Sequence, residues 1–152
     1  MTAKLHVGDV APDFAVTTSA GVELRLSDFR GQRAVVLFFY PKNGTTVCTQ
    51  EACSFRDSFE TFAEAGAEVI GVSGDSDDSH RSFAARHRLP FHLVSDRDGR
   101  LQKLYGARKA LGILPGRVTF VIDREGVIRH MFSALFASDE HVRQSLAALE
   151  PA

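Results

Sequence analysis

The sequence has only two cysteines, almost no net charge and no long apolar run. Over 152 residues the formal net charge is −1 at pH 7 with histidine neutral, which gives no reason to expect nucleic acid or an anionic membrane as a partner. The longest apolar run, Ala34 to Tyr40, is far too short to span a bilayer. The segment from Met1 to His6 lacks the apolar core of a signal peptide. We therefore expect a cytoplasmic protein without a membrane partner.

Common cofactor and metal motifs are missing as well. There is no G-x-x-x-x-G-K-[ST] or G-x-G-x-x-G phosphate-binding segment and no H-E-x-x-H. The histidines are scattered and the cysteines are spaced C-x4-C, whereas a zinc site needs four ligands in tight spacing. Acidic turns at 75–78 and 96–99 lack the spacing of a calcium loop and fit helix caps or turns. We expect neither a metal nor a bound cofactor.

No linker or repeat divides the chain, so we predict one domain over residues 1–152. Hydrophobic periodicity and turn residues predict strands at 22–26, 34–40, 68–72, 91–94, 118–122 and 127–132, and helices at 45–65, 78–87, from 98, and at 138–149. The continuous apolar run at 34–40 is typical of a strand covered on both faces, and the turn sequence at 123–126 predicts that the last two strands pair as a hairpin. This order indicates an α/β fold whose central mixed sheet is flanked by helices. It is compatible with a thioredoxin-like fold carrying an N-terminal extension, and also with a flavodoxin-like sheet.

The chemically informative stretch begins at Pro41, where the apolar strand ends. A polar loop follows and a helix begins near Thr45, so Cys48 lies in the first helical turn. Free backbone N–H groups and the helix dipole favour an anion there, and a thiolate is such an anion. The alternative is that Cys48 simply packs in the core. It shares an apolar helical stripe with Ala52, Phe55, Phe59 and Phe62.

The second cysteine, Cys53, is harder to explain by packing. It lies about 140° around the helix from Cys48, off the apolar stripe and near Arg56 and Glu60. In a reducing compartment a structural disulfide is improbable. The two thiols are then structural residues, metal ligands or redox-active groups, and the position of the second away from the apolar stripe is harder to explain as packing.

At these residues the chain resembles the peroxiredoxins. Pro41-x-x-x-Thr45-x-x-Cys48 matches their P-x-x-x-[TS]-x-x-C active-site motif, and the segment 51–57 around Cys53 resembles the Q type, also called bacterioferritin-comigratory-protein-like. Further similar segments lie at 11–14, 69–73, 89–91, 95–96 and 117–123. Q-type members often read T-P-G-C, whereas this chain has Thr-Thr-Val-Cys at 45–48, which bears on how readily the loop rearranges.

The resemblance implies a thioredoxin-like fold and a thiol peroxidase that reduces hydrogen peroxide and organic hydroperoxides. Cys48 would be the peroxidatic thiolate. Cys53 would resolve its sulfenic acid by forming an intramolecular disulfide, and thioredoxin or a similar dithiol donor would reduce that disulfide. Thr45 and Arg117 would match the family's other active-site residues, while Pro41 would shield the site from water. The cycle needs no cofactor, and we expect a monomer or weak homodimer.

Other interpretations stay open for single residues and for the whole chain. Without the resemblance, Arg117 would be an exposed residue at the start of a strand. Thr45 fits a plain N-cap, and Glu51 either assists proton movement or suits a position near a helix start. A thioredoxin-like disulfide reductase is the nearest alternative enzyme, but it would need C-x-x-C, and the C-x4-C spacing of this chain argues against it. A peroxide-sensing module on the same fold is the non-enzymatic alternative.

Overall fold

The computed structural model describes residues 5–107, 117–133 and 138–149. Within these ranges it has seven strands, five α-helices and a short 3-10 helix. The strands are β1 (Ala15–Thr17), β2 (Glu23–Arg25), β3 (Ala34–Phe39), β4 (Ala67–Ser73), β5 (His92–Ser95), β6 (Val118–Ile122) and β7 (Ile128–Ser133). The helices are α1 (Thr46–Asp57), α2 (Phe59–Glu64), α3 (Asp77–His87), α4 (Arg100–Tyr105) and α5 (Ser138–Leu149), with the 3-10 helix at Leu26–Phe29.

Five strands form a mixed sheet in the order β5-β4-β3-β6-β7. β3 pairs in parallel with β4, and β4 in parallel with β5. β6 runs antiparallel to both β3 and β7, so the predicted hairpin at the end of the sheet is confirmed. β1 and β2 form a separate antiparallel ribbon. The predicted α/β class with a central mixed sheet is therefore confirmed.

The central strand β3 is buried along its whole length. Its alternate side chains enter two different apolar clusters, because successive residues of a strand point to opposite faces. Val35, Leu37 and Phe39 pack on one face with residues of α4. Val36 and Phe38 pack on the other face with residues of α1, α2 and α5. The continuous apolar run correctly predicted a strand covered on both faces.

The single helix predicted at 45–65 is wrong, because it is divided at Ser58. α1 ends at Asp57 and α2 begins at Phe59, with Ser58 at φ −100° and ψ 7°. Backbone hydrogen bonds continue across the break, from the Ser58 N–H to the Ser54 carbonyl and from the Phe62 N–H to the Ser58 carbonyl. Phe55 before the break and Phe62 after it are both fully buried, with ring centroids 5.6 Å apart.

The N-terminal part also differs from the prediction. The strand expected at 22–26 is shorter, because Leu26 turns inward as the first residue of the 3-10 helix. β1 was not predicted, since a strand of three residues carries too little pattern to recognise.

The two acidic turns act as helix caps, as predicted. The Ser76 hydroxyl accepts a hydrogen bond from the Ser79 N–H at 3.1 Å and begins α3. The Asp96 carboxylate accepts from the N–H groups of Leu101 and Gln102, each at 2.9 Å, in the first turn of α4. No helix among the described residues is long and apolar enough to cross a membrane.

Candidate active site

The sheet topology brings three separate elements to Cys48. Cys48 is the third residue of α1, which follows the loop after β3. β6 runs antiparallel to β3 with Val118 opposite Phe39. The residue before β6, Arg117, therefore lies beside the end of β3, close to the loop that leads into α1. The C-terminal helix α5 packs against α1 from outside the sheet.

Arg117 joins Cys48 to Glu51, and we call these three residues the Cys48 site. The Nη2 of Arg117 donates to the Cys48 Sγ at 3.0 Å, and its Nη1 donates to the Glu51 Oε1 at 2.7 Å. The exposed fractions of Cys48, Arg117 and Glu51 are 2%, 3% and 0%. Because arginine keeps its proton, a permanent positive charge lies against the sulfur away from water, where it stabilises negative charge strongly. The interpretation of Arg117 as an exposed strand-entry residue is wrong.

The other residues of the motif lie at the rim of the Cys48 site. Thr45 is the N-cap residue of α1, but its side chain makes no capping bond with the described residues. Its exposed hydroxyl donates to the Lys42 carbonyl at 3.0 Å, and its oxygen can still accept a hydrogen bond from a ligand. Pro41 is half-buried at the start of the loop. Cys53 is half-buried, and both cysteines are free thiols.

Glu51 is a buried acid with one oxygen in an ion pair. Burial raises the pKa of Glu51 to about 7, although the attraction of Arg117 opposes the shift. Its second oxygen, Oε2, is buried without a hydrogen-bond partner among the described residues, and the Nδ1 of His141 lies 3.6 Å from it. A carboxyl group in this environment changes charge near neutral pH. A favourable position near the start of a helix therefore does not by itself explain the buried, ion-paired environment of Glu51.

His141 and Thr119 complete the surroundings of Glu51, and neither residue was predicted from the sequence. His141 comes from α5 and is fully buried, with Thr119 Oγ1 2.7 Å from its Nδ1 and the Phe132 ring packed edge-on against it. A signal for Thr119 was available. It lies two residues after Arg117, so the two side chains share one face of the strand. Nothing in the sequence distinguishes His141 from a surface histidine.

No group of three or more histidine, cysteine or acidic side chains within the described ranges is arranged to hold a metal ion. The chemistry that the Cys48 site supports is that of a buried sulfur nucleophile next to a fixed cation, because Arg117 donates to the Cys48 sulfur.

Comparison with known proteins identifies the family. The model of the AhpC/TSA family matches residues 7–131. A chloroplastic peroxiredoxin Q from Populus jackii is 43% identical over 149 residues, which cover 97% of this chain and 70% of the relative. The crystal structure of peroxidoxin BcpB from Mycobacterium tuberculosis has a TM-score of 0.86 at 38% identity and covers 94% of this chain and 95% of that one. The bacterioferritin comigratory protein of Xanthomonas campestris, studied for its alkyl peroxide reduction, has a TM-score of 0.79 at 29% identity, covering 95% of each chain.

The chain therefore belongs to the AhpC/TSA family. Its relatives and structural neighbours place it with the Q-type peroxiredoxins, which confirms the resemblance found at Pro41, Thr45 and Cys48. The predicted thioredoxin-like fold is confirmed by the same neighbours. Membership of this family implies a thiol peroxidase.

Arg117→Ala is expected to slow peroxide reduction by about 10²- to 10³-fold, the usual effect of removing one donor to a developing oxyanion. Complete ionisation of a cysteine of ordinary pKa, about 8.5, raises its thiolate fraction near pH 7.4 only roughly tenfold. Most of the effect should therefore come from donors to the peroxide oxygens. We would compare second-order rate constants at a pH where the thiolate absorbance at 240 nm is complete in both proteins.

The matched control is Arg117→Lys, which keeps the positive charge and loses the pair of guanidinium N–H donors that joins Cys48 to Glu51. It should recover only part of the rate. Equal rates for wild type and Arg117→Ala under full ionisation would make Arg117 a purely structural residue.

Glu51→Gln is expected to change how stability depends on pH. The folded-state pKa of Glu51, about 7, lies above its ordinary value of 4.5, so the folded protein holds this proton more tightly than the unfolded chain. The resulting stabilisation is complete below the ordinary value and is lost as pH rises through about 7. Relative to Glu51→Gln, the wild type should lose roughly 3 kcal/mol of unfolding free energy over that interval. Urea unfolding of the two reduced proteins from pH 4.5 to 8.5 measures the difference, and parallel curves would contradict it.

Proposed function

We propose that this chain reduces hydroperoxides through Cys48 and completes its cycle with a Cys48–Cys53 disulfide that a thioredoxin-like dithiol reduces. The observation that carries the proposal is the hydrogen bond of 3.0 Å from Arg117 to the Cys48 sulfur inside a buried site. A structural cysteine in an apolar core would not need a buried cation against its sulfur, because burying a charge is unfavourable unless it is paired.

In the first step the Cys48 thiolate attacks the terminal oxygen of the peroxide. The S–O bond forms as the O–O bond breaks, the sulfur becomes a sulfenic acid, and the departing oxyanion takes up a proton to leave as water or an alcohol. Arg117 and the free N–H groups of the first turn of α1 are the available donors to the two peroxide oxygens. The Thr45 hydroxyl, whose hydrogen goes to the Lys42 carbonyl, can accept from the peroxide O–H. Pro41 would limit the access of water. The alkyl peroxide reduction studied in the Xanthomonas campestris relative supports organic hydroperoxides as substrates.

In the second step Cys53 resolves the sulfenic acid. Its thiolate attacks the Cys48 sulfur, the disulfide forms and the sulfenic oxygen leaves as water after taking up a proton. An external dithiol then transfers two electrons and restores both thiols. The half-buried position of Cys53 supports this role, because an outer thiol becomes accessible after a small local opening.

Titration of the reduced protein with hydrogen peroxide, followed by intact mass spectrometry, tests the proposal. One equivalent should convert each chain to a form lacking two hydrogens, with no thiol left to alkylate. Thiols that survive an equivalent of peroxide would refute it. Repeated turnover with thioredoxin and its reductase distinguishes an enzyme from a peroxide sensor, which would be oxidised once and reduced slowly.

The location and the assembly of the chain are further proposals. From the sequence we infer that the protein is cytoplasmic. We also infer that it is a monomer or a weak homodimer. Sedimentation of the reduced and oxidised protein over a range of concentrations measures the assembly, and a stable higher oligomer would contradict it.

Oxidation is expected to unwind the first part of α1. Along a regular helix, residues five apart have Cα atoms about 8.6 Å apart and point about 140° away from each other, whereas disulfides rarely join Cα atoms more than about 7 Å apart. α1 is regular from Thr46 to Asp57, so Cys48 and Cys53 cannot join without unwinding it. The buried side chain of Phe55 should mark where unwinding stops.

Amide hydrogen exchange of the two redox forms measures this change. Protection should fall on oxidation across the part of 46–54 whose N–H groups are bonded in α1, which begins at Thr49, and change little beyond Phe59. An intramolecular disulfide with unchanged protection over 46–54 would refute the unwinding.

A further inference from the structure

A second buried polar cluster lies beneath the loop that leads into α1. It contains Tyr40 at the end of β3, Asn43 in the loop, Ser73 and Asp75 after β4, and His80 in α3, and we call it the His80 cluster. His80 has no exposed surface. Buried polar groups persist when they are hydrogen-bonded to one another, so the contacts within this cluster show what it holds in place.

His80 acts as a neutral acceptor toward Asn43. The Nδ1 of His80 lies 3.0 Å from the Asn43 Nδ2, and an amide nitrogen can only donate. The hydrogen of the imidazole is then on Nε2, which faces the Ser73 Oγ at 3.4 Å. Ser73 directs its own hydrogen to the Asp75 carboxylate at 2.6 Å, and its oxygen, which accepts from the Asp75 N–H at 3.3 Å, has a second lone pair for His80. Burial lowers the pKa of His80, which favours this neutral form.

Asn43 is tied to three elements at once. Its backbone N–H donates to the Asp75 carboxylate at 2.8 Å, and its Oδ1 accepts from the Tyr40 hydroxyl at 2.6 Å. Its Nδ2 also donates to the Ser79 hydroxyl at 3.2 Å, beside the contact with His80. These bonds connect the loop to the end of β3, to the segment after β4 and to α3.

The remainder of this loop is open to water. Lys42, Gly44 and Thr45 are exposed, and Gly44 has a positive φ of 82° that permits the turn into α1. The Thr45 hydroxyl bonds the Lys42 carbonyl, so its position depends on where the loop backbone lies. An exposed loop of this kind has little apolar contact to fix its shape. Asn43 supplies the anchor.

We propose that Asn43 and His80 are positioning residues for peroxide reduction, in which His80 holds Asn43 and Asn43 holds the loop that carries Pro41 and Thr45. The inference rests on the proposed roles of those two residues. The bonds of Asn43 go to the sheet and to α3, and not to the part of α1 that unwinds. The anchor therefore acts on the peroxide step and leaves the disulfide step unchanged.

The test compares two reactions of the same sulfur. Asn43→Ala should lower the second-order rate constant of Cys48 with hydrogen peroxide by about 10- to 100-fold, the usual effect of a small displacement of reacting groups. Alkylation of Cys48 by iodoacetamide needs a reachable thiolate but no donors placed for two oxygens. Its rate should stay at the wild-type value. A loss of ionisation or access would slow both reactions together.

Variants of His80 separate positioning from general destabilisation. His80→Leu removes the acceptor and should behave as Asn43→Ala, whereas His80→Asn keeps a side-chain oxygen near the place of Nδ1 and should restore most of the peroxide rate. The double variant Asn43→Ala/His80→Leu should be no slower than the slower single variant, because each single change already removes the contact between His80 and Asn43. Ser82→Ala, an exposed change on the same helix, is the matched control.

If His80→Leu does not fold, the loop variant Asn43→Ala still decides the question. The deciding quantity is the rate constant with hydrogen peroxide divided by the rate constant with iodoacetamide. If this ratio stays at the wild-type value in Asn43→Ala, whether or not both rates fall, the proposal is overturned. A wild-type protein that does not react with peroxide would instead refute the proposed function, so the two failures are distinguishable.

Discussion

Cys48→Ser is expected to have no measurable peroxidase activity and a nearly unchanged fold. The oxygen of serine stays protonated at neutral pH and is a poor nucleophile toward an O–O bond, so the first step has no attacking group. The replacement is close in size to cysteine, and its hydroxyl can accept the hydrogen bond that Arg117 gives to the sulfur. The buried charge of Arg117 therefore keeps a partner in addition to Glu51.

Peroxide consumption in a thioredoxin-coupled assay measures the loss, and circular dichroism with urea unfolding measures the fold. Cys48→Ala is the companion variant, because it removes the acceptor for Arg117 as well as the nucleophile. It should be equally inactive and less stable than Cys48→Ser. Activity near the wild-type value in either variant would exclude Cys48 as the reacting thiol.

The sequence predicted the strand, loop and helix that position Cys48, because each of these elements depends on a local pattern of residues. A continuous apolar run indicated a strand buried on both faces, Pro41 marked its end, and a helix after the polar loop placed Cys48 in its first turn. Each of these features involves neighbouring residues and a strong periodicity. The break at Ser58 was not predictable in this way, because no glycine or proline interrupts the predicted helix there.

The polar partners of the site were not predictable, because they come from distant parts of the chain. Glu51 and Arg117 are separated by 66 positions, yet both are buried against each other. Polar residues are usually exposed, so their sequence gives no sign of burial. The resemblance to peroxiredoxins pointed to Arg117 and said nothing of its partner Glu51. His80 and His141, both fully buried, were indistinguishable from surface histidines.

Cys53→Ser is expected to react with peroxide as fast as the wild type and to lose donor-dependent turnover. Cys53 takes no part in the hydrogen bonds that join Cys48, Glu51 and Arg117, so the first step keeps its nucleophile and its cation. The sulfenic acid then lacks an intramolecular thiol. A second peroxide converts it to a sulfinic acid, which thioredoxin does not reduce.

The matched control for that variant is the neighbouring change Ser54→Ala. Ser54 is half-buried like Cys53, and its hydroxyl bonds Asp139 of α5 at 2.8 Å. Removing that bond loosens α1 from α5 without removing a thiol, so turnover should be kept and the disulfide should form at least as fast. Single-turnover mixing with peroxide, followed by acid quench and intact mass, separates the sulfenic, sulfinic and disulfide forms over time. Unchanged turnover in Cys53→Ser would show that another thiol, from a partner or a second chain, resolves Cys48. Loss of turnover in both variants would mean that the integrity of α1, and not the Cys53 thiol, limits the cycle.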